Sequence, residues 1–354
     1  MAINLATKYA TKLDERFKQR SLTDAWCGHN YDWNGVNSIN VWTILTDELN
    51  DYDATASANR FGTPTEVQDE LNTYVLTRKR AFTKTIDATN TQDQMFIKKA
   101  SAFLKQMWDE RYVPENDAYR LKTWANGAGL GMVGSALTKS TIIEAMLNAC
   151  AEMDDAAVPA ENRVIFVRTD VSVKCKLATE LGNNQNWTSK AIVQGKIAEL
   201  NGCPIVAIPK SRMPAGVEFI VKYKNASADP SKMHMLRSHD DAPGIAGVLL
   251  EGLCRYDSFV MAQKADGIYV YSTGGLAAPT ITQSSNSVSI SGTGTIKYTV
   301  DGSNPKTSST AQTYSAAITI TKNTKVRAYA EQTGKLHSAI ASFDAVYTTP
   351  PAGN

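Results

Sequence analysis

The last 79 of the 354 residues, Leu276 to Asn354, contain no tryptophan, methionine or cysteine. All six Trp, ten Met and five Cys lie before them, whereas 25 of those 79 residues are Ser or Thr. Two residue sets so different do not build one hydrophobic core, so the chain reads as two folding units that meet near Gly274-Gly275. Cysteine is sparse in the first unit as well. Cys27, Cys150, Cys175, Cys203 and Cys254 are odd in number and form no C-x-x-C pair, which excludes a disulfide framework and a zinc ribbon. They read as small buried thiols of a reducing compartment. No apolar run is long enough to span a bilayer, and the amphipathic first 20 residues lack the apolar core of a signal peptide. The expectation is a protein made in a cytosol, with no membrane partner. Charge of one sign is also missing. The net charge is +2, with +3 on the last 79 residues and about −1 on the rest, which excludes a strongly basic nucleic-acid binder.

What is present is a change of rhythm along the chain. Leu5, Tyr9, Leu13 and Phe17 recur every fourth residue and predict a short amphipathic helix, marginal unless it buries that stripe elsewhere. Ser38–Thr46 and Thr73–Ile86 read as the two strands of a long, charged hairpin, with Val41, Ile44, Tyr74, Leu76 and Phe82 as its apolar positions. Such a hairpin buries little by itself. Phe96, Ala100, Phe103, Leu104, Met107 and Trp108 predict a helix over Gln92–Tyr112, ended by Pro114. A second helix is expected over Ile142–Met153. Strands are expected at Arg163–Arg168, Pro204–Ile208, Glu218–Tyr223, Tyr256–Gln263 and Gly267–Tyr271, and a helix at Val171–Leu181. The tail shows six short Thr-, Ile- and Tyr-rich strands between Gly, Asn, Asp and Pro turns, the pattern of a small all-β sandwich.

Motifs that could carry chemistry lack their context. Gly129-Leu130-Gly131-Met132-Val133-Gly134 fits G-x-G-x-x-G, but the preceding Tyr119–Asn126 shows no buried strand run, so the glycines read as a hinge and no cofactor is implied. Ser238-His239-Asp240-Asp241 reads as a solvated loop, because triad members meet in space and not in adjacent positions. Arg78-Lys79-Arg80 reads either as a solvated, protected strand edge or as a contact to an acidic patch on an adjacent subunit. In the tail, Tyr298, Asp301 and Asn304 mark a double turn, read either as a structural anchor or as a surface-ligand turn.

The order of elements over about residues 1–272 resembles the major capsid proteins of tailed bacteriophages, the Hong Kong 97 fold. The resemblance implies an α+β fold with an N-arm (1–30), an extended hairpin loop (31–88), a peripheral domain with a spine helix (89–137 and 256–272) and an axial domain (138–255). A linker (273–278) then leads to the immunoglobulin-like sandwich (279–348), which is similar to the C-terminal module of chitobiase and beta-hexosaminidase enzymes through Tyr298–Pro305 and Val326–Ala330. It implies a non-enzymatic protein of the virion, assembled in the bacterial host cytoplasm from hexamers and pentamers into an icosahedral shell around double-stranded DNA bound without sequence specificity. A separate scaffolding protein, a portal protein and a host-surface glycan are the other implied partners. Leu5, Leu13, Phe17, Val41, Ile44, Tyr74, Leu76, Arg78, Lys79, Arg80 and Phe82 are expected at contacts between subunits. No motif identifies a cross-linking lysine. The alternative from another class is a carbohydrate-active or host-adhesion protein with an accessory β-sandwich.

Overall fold

The computed structural model describes residues 20–28, 37–44, 52–55, 58–61, 64, 66–67, 69–87, 100–178, 196–240, 243–244 and 246–348. The expected N-terminal helix with Leu5, Leu13 and Phe17, and also Phe96 and the segment before Lys196, lie outside these residues. In chain order the first elements are β1 (Ser38–Ile44), β2 (Asp69–Val75), β3 (Arg78–Asp87), α1 (Ala100–Met107) and α2 (Val113–Gly127). Then follow β4 (Leu130–Val133), α3 (Ile142–Asp155), β5 (Arg163–Arg168), α4 (Thr169–Leu177), β6 (Lys196–Leu200), β7 (Cys203–Ile208) and β8 (Val217–Tyr223). The short β9 (Ser227–Ala228), β10 (Ser231–His239), β11 (Gly247–Tyr256), β12 (Phe259–Val260) and β13 (Ile268–Ser272) complete the body.

A six-stranded mixed sheet, ordered β4-β13-β8-β5-β7-β6, is its centre. Strand alternation sorts its side chains to two faces. Ile165, Val167, Phe219, Val221, Tyr269 and Tyr271 pack with Ile142, Met146 and Met153 of α3. Val164, Phe166, Ile220, Ile268 and Val270 pack with Leu121 and Trp124 of α2. Both faces are therefore covered, which explains the unbroken burial of Val164–Val167. The predicted strands at 163–168, 204–208 and 218–223 and the predicted helix at 142–153 are all found close to their expected bounds.

Two expectations about this region are corrected. Pro114 does not end the helix, which runs on from α1 through a π segment, Trp108–Tyr112, into α2. The amide of Val113 reaches back to the Trp108 carbonyl, five residues away. That widened turn accommodates a residue with no N–H to donate. The glycine run is not a hinge either. β4 lies parallel to β13 at the sheet edge. A Cβ on Gly129 would come 2.1 Å from Asp266 Oδ1, and one on Gly134 would come 2.3 Å from the Tyr271 hydroxyl. Close backbone approach requires glycine here.

The long strand expected at Thr73–Ile86 is two strands. β2 pairs with β1, whereas β3 joins β10 and β11 in a separate three-stranded sheet, ordered β10-β11-β3. The break falls at Leu76-Thr77, where the buried Asp257 carboxylate accepts from the Thr77 amide (2.7 Å) and hydroxyl (3.0 Å). Tyr119 holds the other carboxylate oxygen at 2.6 Å. Ser238 and His239, expected in a solvated loop, end strand β10. Sheet membership also divides the chain differently from the expected domains: β10 and β11 leave the axial region to pair with β3, and β13 stays in the central sheet.

The tail forms two packed sheets. β14 (Thr280–Ser284), β15 (Ser287–Ser291) and β18 (Ile318–Thr319) form one. β17 (Gln312–Thr313), β16 (Thr295–Thr299), β19 (Thr324–Glu331) and β20 (Ala341–Ala345) form the other. Val288, Ile290, Ile296, Ile320, Val326 and Ala328 fill the space between them. This is the expected small all-β sandwich. Its separation from the body is less than expected, because Tyr329 and Ile340 belong to the body core around Trp124. The expected linker is structured too: Thr273 donates its amide to Gly216, and Leu276 is buried in the sandwich.

Candidate assembly surface

The β1–β2 hairpin has two unlike faces because its register places alternate residues together. On the inner face, Tyr74 and Leu76 are buried against Ala228 and Met261, with Ile39, Val41 and Phe259 around them. The Tyr74 hydroxyl accepts from the Ala262 amide at 3.2 Å. On the outer face, Trp42 lies opposite Leu71, and Ser38 opposite Val75. Here Trp42 is 64% exposed, Ile44 68%, Leu71 41% and Val75 46%. Among the described residues, this apolar group on one face of a two-stranded ribbon is left without cover.

The expected subunit contacts therefore divide. Ile44 lies on the open face. Val41, Tyr74 and Leu76 do not, because the chain's own body covers them. Phe82 is half-buried, lying over Gly252 and edge-on to Phe103 of α1 at 6.3 Å. Alternation across β1 and β2 could have found Trp42, Leu71 and Val75 in the sequence; choosing apolar residues without separating odd from even positions missed them.

The basic run is also engaged within the chain. Arg80 Nε lies 2.7 Å and Arg78 NH2 3.4 Å from Glu115 Oε1 of α2. Arg78 stacks over the Tyr119 ring at 4.4 Å, and the Tyr256 hydroxyl donates to Glu115 at 3.1 Å. The hydrogen bond and charge of Glu115 hold the Arg80 guanidinium above its usual pKa. Lys79 is exposed between them. The sequence reading missed Glu115, whose partners lie 35 and 37 residues away. Beside this edge, a shallow cavity of about 360 Å³ is lined by Ala81, Phe82, Met235, Arg237, Glu251 and Leu253 among others.

The N-terminal strip 20–28 is bound to the body and does not extend away from it. The buried Asp117 of α2 accepts from the Ser21 hydroxyl (2.7 Å), the Leu22 amide (3.1 Å), the Thr23 hydroxyl (2.7 Å) and Arg212 (2.7 Å). Arg120 holds Asp24 at 3.0 Å. Cys27 is fully buried, and burial pushes its thiol well above the usual range. Residues 20–28 and the inner face of the hairpin are thus held by their own chain.

The tail turn is structural. Asp301 accepts from the Ser303 amide at 3.0 Å and the Thr310 hydroxyl at 2.7 Å, and these bonds, with that of the Ser303 hydroxyl, lower its pKa against the opposing effect of burial. Tyr298 donates to Gln312 at 3.0 Å. Asn304 is 1% exposed and donates to the Ala262 carbonyl at 2.9 Å, so it faces the body and cannot be part of a surface-ligand turn. Among the described residues, no three His, Cys, Asp or Glu side chains are grouped to hold a metal, and no helix is long and apolar enough to cross a membrane.

Comparison with known proteins gives this geometry a context. The family model "Fn3 associated" matches residues 287–345, most of the sandwich. No curated protein matches the chain in sequence. Solved structures do match in fold. A protein of Mycobacterium phage Che8 superposes with a TM-score of 0.63 at 14% identity, over 75% of this chain and 96% of that one. The capsid structure of the cyanophage P-SCSP1u gives 0.58 at 13% identity, over 75% and 92%. The mature capsid of bacteriophage PhiM1 gives 0.58 at 11% identity, over 75% and 91%. The chain has a phage-capsid fold. Within that fold the central sheet, the long helix and the hairpin are all parts of one chain, and the open face of the hairpin groups four exposed apolar side chains, Trp42, Ile44, Leu71 and Val75.

Proposed function

We propose that this chain is a phage major capsid protein of the Hong Kong 97 type, whose copies assemble as hexamers and pentamers into an icosahedral shell around double-stranded DNA. The likeness in fold to capsid structures over 91–96% of their chains carries this reading. The outer face of the β1–β2 hairpin supports it, because Trp42, Ile44, Leu71 and Val75 offer a second copy an apolar contact of the kind found at interface centres. A face that meets a different surface on the next copy makes a heterologous contact, and such contacts give rings where the rotation between copies closes. The role is structural and needs no catalytic group. A net charge of only +2 suits a wall that does not grip packed DNA. A scaffolding protein, a portal and assembly in the host cytoplasm belong to the same reading. Asn304 takes no part in a glycan site, because it is buried against the body. Negative-stain electron microscopy of the purified full chain tests the proposal. Shells, sheets or capsomer rings are expected, and a monodisperse monomer at every concentration and with added scaffolding protein would overturn it.

A further inference from the structure

We infer that the C-terminal sandwich is an internal brace that closes the C-terminal end of α2 and one side of the central sheet, and is not a tethered appendage. The argument starts at the helix end. The last carbonyls of a helix have no partner within it, and a cation there is favoured by the helix dipole. Lys306 of the tail supplies the partners, its amine donating to Asn126 O at 2.9 Å and to Ala128 O at 2.7 Å. The Ile340 amide donates to Gly129 O at 2.8 Å, and the His337 amide to Asn126 Oδ1 at 3.4 Å. A second group of bonds holds the segment before β13: Asn304 donates to Ala262 O at 2.9 Å, and Arg327 meets both oxygens of Asp266 at 3.3 Å. Apolar packing runs through the same place, since Tyr329 and Ile340 share a cluster with Leu121, Trp124, Phe166 and Val270.

Tethered modules are joined by mobile linkers and few contacts. This contact is polar, apolar and directional at once, and the linker itself is hydrogen-bonded. The compared capsid-fold chains match 75% of this chain over nearly their full length, so about a quarter of this chain has no counterpart in them. Here the chain's own tail covers Asn126–Gly129 and Ala262–Asp266. Two consequences follow: that patch is closed to neighbouring copies, and every copy presents its sandwich in one orientation.

Hydrogen–deuterium exchange on the full chain carrying Lys306→Met and Asn304→Ala tests this. The brace predicts at least tenfold faster exchange in peptides covering 126–131 and 262–268, while peptides covering 287–299 inside the sandwich keep their protection. Wild-type exchange in those two body segments would overturn it. If the double variant does not fold, Asn304→Ala alone is read in the same way at 262–268.

Discussion

Asp117 shows how one side chain fixes the path of a distant segment. It collects three donors from residues 21–23 and a fourth from Arg212, all in a place closed to water. Asp117→Ala would leave the Arg212 guanidinium buried without its counter-charge, a change that costs about 3–5 kcal/mol. Urea unfolding should show that loss, and residues 20–28 should become open to proteolysis. Gly129→Ala should cost about 1–3 kcal/mol through overpacking against Asp266 and the Ala265 backbone, measurable as a lower Tm. Lys306 makes a prediction about pH. Burial of its ammonium lowers its pKa from 10.5 to about 7. Between those values the unfolded chain binds the proton more strongly, so this lysine makes stability rise with pH from about 7 towards 10.5. Below about pH 7 its contribution is flat. Lys222, lowered to about 8 by burial, acts with the same sign, so the test is a difference: Lys306→Met should have a shallower rise of Tm with pH than the wild type. An equal slope in both would contradict the assignment.

At the scale of elements, the hairpin carries the exposed apolar face on which the proposed contact between copies rests. Trp42→Asp with Ile44→Asp places charge on its open face and touches nothing in the core, so folding should survive and association should fall. Sedimentation velocity beside circular dichroism checks both at once. How much of these elements the sequence showed depends on how local their causes are. Strands β5, β7 and β8 and helix α3 carry their signal in their own apolar runs, and they were legible. The break between β2 and β3 was not, because Asp257, which makes it, is 180 residues away from Thr77. The continuation through Pro114 was hidden for a related reason: a proline stop presumes regular helix geometry, and the π segment before it removes that premise. Strand β10 was lost to its own polarity, since His239 and its neighbours are exposed on an edge strand that pairs through the backbone. On the candidate surface, the exposed side of Ile44 and the buried side of Tyr74 and Leu76 both required knowledge of which face meets Met261.

For the whole molecule, the two residue sets suggest more independence than the packing shows. The sandwich has its own core, and it also lends Tyr329 and Ile340 to the body. The body has its own core, and it also leaves Trp42, Ile44, Leu71 and Val75 open. One apolar surface is closed by the chain itself, and the other is the face on which the proposed contact between copies rests. Cryo-electron microscopy of particles assembled from the full chain examines that difference directly. The account predicts a closed shell in which the outer face of residues 38–44 and 69–75 lies against a neighbouring copy. A shell in which Trp42 and Ile44 face solvent, or a chain that forms no regular particle under any assembly condition, would contradict it.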